Sequence, residues 1–205
     1  SQFCDEFSLC SDDLVFLSKS TEKYFAGKLN EAHVIYRGDY GKGEPTDIMV
    51  EQIYQDIKDI PYKRVIAVGG GTIVDVAKLL ALKEFHPVLD LYDKKIPAER
   101  TKELVIIPTT CGTGSEVTNI SILELTQRKT KLGLAVDPLY PDYTVLIPEL
   151  LADLPYQFFA TSSIDALIHA MESYLSPKAT TLSRQFSLKA VEMILDGYKK
   201  IAAEG

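Results

Sequence analysis

The chain has 205 residues, 46% hydrophobic and 25% charged, with a formal net charge of −7. That length can bury a core without disulfide staples, and the composition is not that of a disordered, collagen-like or coiled-coil chain. An acidic surplus argues against nucleic acid and anionic membrane as partners, because both need a basic face.

No apolar run reaches the roughly 20 residues of a membrane helix. The three cysteines, Cys4, Cys10 and Cys111, are sparse and show no C-x-x-C spacing. No zinc or redox motif is visible in them, and the pattern fits a reduced, cytoplasmic protein. The opening residues lack the basic and apolar regions of a secretory signal. The first residue is Ser rather than Met, as in a chain that starts inside a longer protein.

In chain order, residues 14–17 read as a strand, 21–29 as a short helix and 33–36 as a second strand. Pro45, Thr46 and Asp47 then open a helix, with Val50, Ile53, Ile57 and Ile60 at helical spacing. Residues 65–68 form a continuous apolar run that ends in three glycines, the look of a strand buried on both faces. After it, Ile73, Val76, Ala77, Leu80 and Ala81 make one apolar helix face. Residues 104–107 are another buried strand, stopped by Pro108. Repeated strand–helix–strand units imply an α/β fold, a parallel sheet with helices on both faces.

The pattern then changes. Residues 118–125 and 131–136 read as two strands around the polar turn 126–129, and 144–147 as a last short strand. From Pro148 on the chain reads as helix, with one segment from Leu154 to Leu175, a break at Ser176 and Pro177, and another helix over 181–203. The boundary falls near Pro148 to Pro155, separating residues 1–150 from 151–205.

Three segments carry chemistry. Gly69-Gly70-Gly71-Thr72 joins a buried strand to an amphipathic helix. Such a turn lets a ligand approach the backbone, and the following helix N-terminus suits a pyrophosphate; taken alone it is equally an ordinary tight turn. It is neither G-x-G-x-x-G nor a Walker loop. Asp75 and Lys78, at i and i+3, read as a surface ion pair on the exposed side. The second segment, 108–116, also leaves the carboxyl end of a buried strand, where open α/β sheets bind ligands. It is rich in Thr, Gly and Ser.

Asp165 and His169 form the third, at i and i+4 on one helix face. A carboxylate and an imidazole suit a divalent metal such as Fe²⁺ or Zn²⁺, or they make a simple hydrogen-bonded pair. The other histidines, His33 and His86, lie outside the helical region, so a closed metal site needs ligands this chain does not show. Glu172 is either a supporting acceptor or solvated.

Together these residues resemble the iron-containing, group III alcohol dehydrogenases. The family pattern is a GGGS-x-x-D-x-x-K turn, a PTT-x-GTGSE-x-T loop and a DAL-x-H-A-x-E helix. Here it reads Gly69 to Thr72 with Asp75 and Lys78, then Pro108 to Thr118, then Asp165 to Glu172. Cys111, Ser162-Ser163-Ile164 and the stretch 176–179 look most like the 4-hydroxybutyrate dehydrogenases of that family.

The resemblance implies a Rossmann-like dinucleotide-binding domain followed by the start of an all-helical metal domain. It places Gly70, Gly71 and Thr72 on the pyrophosphate of NAD or NADP, with Asp75 in the same motif. Thr109, Thr110, Thr113 and Thr118 line the cofactor site, and Lys131 reaches the ribose. Asp165 and His169 become two ligands of Fe²⁺ or Zn²⁺. Two further histidine ligands of the family have no counterpart here. Family members are nearly twice this length, so the chain reads as a fragment of a homo-oligomeric enzyme.

The implied activity is hydride transfer between a nicotinamide cofactor and a primary alcohol or aldehyde, most like 4-hydroxybutyrate and succinate semialdehyde. Alternatives are a non-catalytic nucleotide-binding fragment, a butanol, 1,3-propanediol or lactaldehyde dehydrogenase, a polyol dehydrogenase, or a related sugar-ring cyclase. Two positions depart from the family. Leu17-Ser18-Lys19-Ser20 stands where an acidic residue often selects NAD, which leaves NAD and NADP open. Ile147-Pro148 replaces a common Asp-Pro.

Overall fold

The computed structural model describes residues 2–25, 27–152 and 154–204. The chain opens with α1 (Gln2–Phe7), then β1 (Asp13–Leu17) and β2 (His33–Tyr36). Helix α2 (Asp47–Ile57) starts at Thr46, whose side-chain oxygen accepts the Met49 N–H at 3.0 Å and so satisfies a first-turn donor. Strand β3 (Arg64–Gly69) passes through Gly70 into α3 (Gly71–Leu80), and the short α4 (Val88–Tyr92) follows. After β4 (Glu103–Pro108) come the antiparallel pair β5 (Ile120–Leu125) and β6 (Thr130–Ala135), then β7 (Tyr143–Thr144). Helices α5 (Tyr156–Leu175) and α6 (Thr181–Glu204) complete the described elements.

The main sheet has the order β2-β1-β3-β4-β7, and each neighbouring pair is parallel. The expected α/β fold with a parallel, Rossmann-like sheet is what the residues build. Strand alternation divides the core into two faces. Leu14, Phe16, Val65, Ala67, Leu104 and Ile106 meet α2, α3, α4 and the β5–β6 hairpin. Val15, Leu17, Ile66, Val68, Val105 and Ile107 meet Phe3, Phe25, Leu29 and Leu150 on the other face. All twelve of these strand residues are at 0% exposure.

Three expectations need adjustment. Residues 21–29 do not make an α-helix; 3-10 turns at Lys19–Phe25 and Lys28–Glu31 replace it. Gly27, at φ 79, takes a left-handed conformation that no helix interior accepts, and Ala26 lies outside the described residues. The second face of the sheet is consequently covered by α1, 3-10 turns and the segment around Leu150 rather than by long helices. The last strand is shorter than 144–147, being paired only at Tyr143 and Thr144, with further backbone bonds from Asp142 N to Leu104 O at 2.9 Å and from Val145 N to Ile106 O at 2.8 Å.

By its internal packing the chain falls into two compact units. The first comprises Ser1–Thr109 and Ser115–Ala152, and holds both sheets. The second comprises Thr110–Gly114 and Asp153–Gly205. In it α5 and α6 run antiparallel, joined by Ser187 Oγ to Ser173 Oγ at 2.9 Å and Tyr198 OH to Ser163 Oγ at 2.7 Å. Phe158, Ile168, Leu175, Phe186 and Met193 are exposed on it. No helix among the described residues is long and apolar enough to cross a membrane. None of the three cysteines is in a disulfide.

One buried ion pair joins the amino ends of β1 and β3. Asp13 is 1% exposed and accepts from Arg64 Nε at 2.7 Å, Arg64 Nη2 at 2.8 Å and Cys10 N at 2.8 Å. Removing one partner leaves the other charge poorly solvated. Asp13→Ala therefore lowers the unfolding free energy by about 3 kcal/mol, to be read as a shift of the urea midpoint at constant m-value.

Candidate functional site

The glycine turn and the second loop begin at adjacent strand ends. Gly69 pairs in register with Pro108, and Thr109 donates its N–H to the Gly69 carbonyl at 3.1 Å. A Cβ on Gly69 would stand 2.9 Å from Ile73 Cβ, which the helix backbone fixes, as well as 2.3 Å from Ile73 Cδ1, so a side chain here would push the strand away from its helix. The Gly70 carbonyl accepts from Ile73 N at 3.0 Å and Val74 N at 3.1 Å, which opens α3. Gly70, Gly71 and Thr72 are half-buried at the helix start, where the backbone N–H groups and the positive end of the dipole favour an anion.

Asp75 and Lys78 are not a surface pair. Asp75 is 8% exposed and Lys78 0%. The β5–β6 hairpin packs on the side of α3 that the polar residues had marked as solvent-facing. Lys78 Nζ donates to the Ile120 carbonyl at 2.7 Å and to Thr118 Oγ1 at 3.3 Å, with Asp75 Oδ1 at 3.9 Å. Asp75 Oδ2 accepts the Ile122 N–H at 3.1 Å, and Ser121 Oγ donates to the Asp75 carbonyl at 2.8 Å. Tyr92 OH donates to the Ser121 carbonyl at 2.9 Å. Asp75 therefore aims its carboxylate into this packing. Burial pushes the Lys78 pKa down to about 8, against the pull of Asp75 and Glu116. Burial likewise pushes Asp75 up, against the Ile122 N–H and Lys78.

The second loop divides. Ser115–Val117 is a 3-10 turn, and Thr118 Oγ1 donates to the Ser115 carbonyl at 3.4 Å. Thr110–Gly114 belongs to the unit that contains α5. There Cys111 Sγ lies 3.4 Å from Ser162 Oγ. Gly112 has φ 121, and a Cβ on it would be 2.0 Å from the Ser162 carbonyl oxygen. Thr110 is half-buried and Thr113 exposed.

Lys131, expected at a ribose, is exposed on β6 and ion-paired with Glu44. Asp165 and His169 sit one turn apart on α5, with Nε2 to Oδ1 at 3.8 Å and side chains 49% and 52% exposed. This donor pair fits two coordination positions of a first-row divalent ion. Among the described residues no group of three or more His, Cys, Asp or Glu is placed to hold one. Glu172 is exposed.

A cavity of about 500 Å³ was not visible in the sequence. Phe3, Tyr24, Phe25, Val68, Ile107 and Leu150 line it, at the carboxyl ends of β3 and β4 on the face opposite α3. Its walls come from segments far apart in the chain, and no spacing rule joins them.

Two outcomes follow from this geometry. Gly112→Ala meets both a left-handed φ and the Ser162 carbonyl, and lowers stability by about 1–3 kcal/mol, measured by thermal melting. The folded-state pKa of Lys78 lies below the ordinary lysine value. Above about pH 8 the unfolded chain holds more protons, so stability rises with pH. Relative to Lys78→Met, the wild type should gain stability between about pH 8 and pH 9.5, read by urea unfolding at each pH.

Comparisons with known proteins bear on the same residues. The model of the iron-containing alcohol dehydrogenase family matches residues 7–148, and that of the Fe-containing alcohol dehydrogenase family C-terminal region matches residues 159–205. The 4-hydroxybutyrate dehydrogenase of Clostridium kluyveri is 48% identical over 205 residues, 100% of this chain and 55% of that protein. The chain thus spans about half the length of such curated relatives. Among solved structures, an iron-containing alcohol dehydrogenase from Thermotoga maritima aligns with a TM-score of 0.80 at 27% identity, over 93% of this chain and 55% of that one. The sulfoacetaldehyde reductase of Bifidobacterium kashiwanohense in complex with NAD+ shares the fold, with a TM-score of 0.81 at 21% identity over 94% of this chain and 53% of that one. The chain belongs to the iron-containing alcohol dehydrogenase family.

Proposed function

We propose that this chain is the dinucleotide-binding part and the opening of the metal-binding part of an alcohol dehydrogenase. The reaction is hydride transfer between NAD or NADP and a primary alcohol or aldehyde, with 4-hydroxybutyrate and succinate semialdehyde as the pair. The observation that carries this reading is the 48% identity to a 4-hydroxybutyrate dehydrogenase along the whole of this chain.

The chain's own residues have separable tasks. Gly70, Gly71 and Thr72 present the start of α3 to the pyrophosphate. Thr109, Thr110, Thr113 and Thr118 offer short hydroxyls for the ribose and phosphate oxygens. Lys131 exchanges its Glu44 partner for the ribose. The cavity lined by Phe3, Phe25, Val68 and Ile107 suits the flat apolar face of a base. Asp165 and His169 supply a carboxylate oxygen and an imidazole nitrogen for Fe²⁺ or Zn²⁺. When bound, the ion supplies Lewis-acid polarisation of the alcohol oxygen.

A second reading, dinucleotide binding without turnover by this chain, is favoured by one observation. No third His, Cys, Asp or Glu joins Asp165 and His169 among the described residues, and catalytic sites use three protein ligands.

The test uses reduced cofactor absorbance with succinate semialdehyde and added Fe²⁺ or Zn²⁺, for the wild type, Asp165→Ala and His169→Ala. Metal-dependent oxidation of NADH or NADPH is expected in the protein that carries its full ligand set, and each substitution should lower it at least about a hundredfold with dinucleotide affinity kept. Wild-type metal content in Asp165→Ala would remove the ligand assignment. Faster turnover of butanal than of succinate semialdehyde would move the substrate elsewhere in the family.

A further inference from the structure

Lysine is almost never fully buried, and burying an ammonium costs stability that a methionine of similar length would not. Lys78 is nevertheless at 0% exposure, in the body of α3. The hairpin does not depend on it for attachment. Asp75 already holds Ile122 N, and Ser121 bridges the Asp75 carbonyl and Tyr92. What Lys78 alone supplies is a donor to Thr118 Oγ1 and to the Ile120 carbonyl.

That donor fixes an orientation. With Lys78 donating to it, the Thr118 hydroxyl sends its own proton to the Ser115 carbonyl. This bond acts on the 3-10 turn Ser115–Val117 together with Thr144 Oγ1, which donates to the Glu116 carbonyl, and with the Ser115 side chain on Asp75. The other end of the loop is tied by Thr109 N to Gly69 O at 3.1 Å. Both ends are therefore referenced to the same strand–helix unit, the one that carries the glycine turn. Lys78 stands about 10 Å along the axis from Gly71, since a helix rises about 1.5 Å per residue.

We propose that Lys78 is a positioning residue for dinucleotide binding: from the core it orients Thr118 and the Ser115–Val117 turn relative to the glycine turn at the head of α3. This rests on the reading that the chain binds a nicotinamide dinucleotide. The lowered pKa of the lysine, caused by burial, agrees with a group kept in place at a cost to stability. The charged and titratable groups facing it are Asp75 on its own helix and Glu116 on the turn.

Lys78→Met separates positioning from support. Three measurements are made on the 205-residue chain: urea unfolding, amide hydrogen exchange over residues 115–122, and fluorescence titration with NADH and NADPH. The expected result is an unfolding midpoint at or above the wild-type value, exchange at least about tenfold faster confined to this loop, and dinucleotide affinity about tenfold weaker. Thr118→Val should give a similar loss, and the double variant should be no weaker than the worse single one. Wild-type exchange and affinity in Lys78→Met would overturn the proposal. So would a lowered midpoint with faster exchange throughout the sheet, which is the signature of simple support. A wild-type chain that binds neither NADH nor NADPH would defeat the functional reading, and the localised exchange pattern would then decide the role of Lys78 by itself.

Discussion

The burial of the central parallel strands on both faces is the constraint from which the site follows. β1, β3 and β4 put every inner residue at 0% exposure, so no polar group of theirs can work from a face of the sheet. Parallel strands also send all their carboxyl ends to one edge. Registration makes that edge level, because Leu17 pairs with Val68 and Val68 with Ile107. The chain therefore emerges at Ser18, Gly69 and Pro108 side by side. In the order β2-β1-β3-β4-β7 the winding reverses between β1 and β3, and the crevice at such a reversal is where this architecture binds ligands.

Helix α3 converts that edge into a defined surface. Its first residues are half-buried and small, while Ile73 through Leu80 are all buried. The sheet holds one side of the helix and the β5–β6 hairpin the other. A helix clamped in this way cannot tilt to meet a ligand, so its N-terminal N–H groups keep a fixed direction. The cost is the desolvation of Asp75 and Lys78. Rigidity at one end of the helix is thus offset by strain in charge placement at the other.

The strands over 65–68 and 104–107 were legible because unbroken apolar runs mark burial on both faces. Those over 14–17 and 33–36 were legible as short apolar runs, although 33–36 is the edge strand and buries only Ile35. The Asp165 and His169 pair was legible because helical spacing alone brings i and i+4 together. The polar side of α3 was misread for a physical reason. Periodicity tells which residues of a helix share a side, not what covers that side, and a hairpin from some 40 residues later covers it here. The failure over 21–29 is local instead: Gly27 at φ 79 ends any helix that starts before it. The cavity lined by Phe3, Phe25 and Leu150 had no sequence signal, since nothing but the fold brings its walls together.

Gly112 shows how one residue can bear on two sets of candidate groups without belonging to either. Its backbone rests against the Ser162 carbonyl, and a Cβ there would also lie 3.4 Å from Ala166 Cβ. Ser162 and Ala166 are a turn apart on α5, and each precedes a candidate ligand by three residues, Asp165 and His169. The side of α5 that seats the loop therefore adjoins the side that presents the carboxylate and the imidazole. Thr110 and Thr113 flank Gly112 in the same short segment. The placement of those hydroxyls relative to the ligand pair is consequently set by a close approach that only glycine permits, both for its left-handed φ and for the absent Cβ. A candidate metal ligand and a candidate cofactor hydroxyl can each be replaced by chemistry of the same kind. The glycine between them has no such substitute, because what it contributes is the space a side chain would fill.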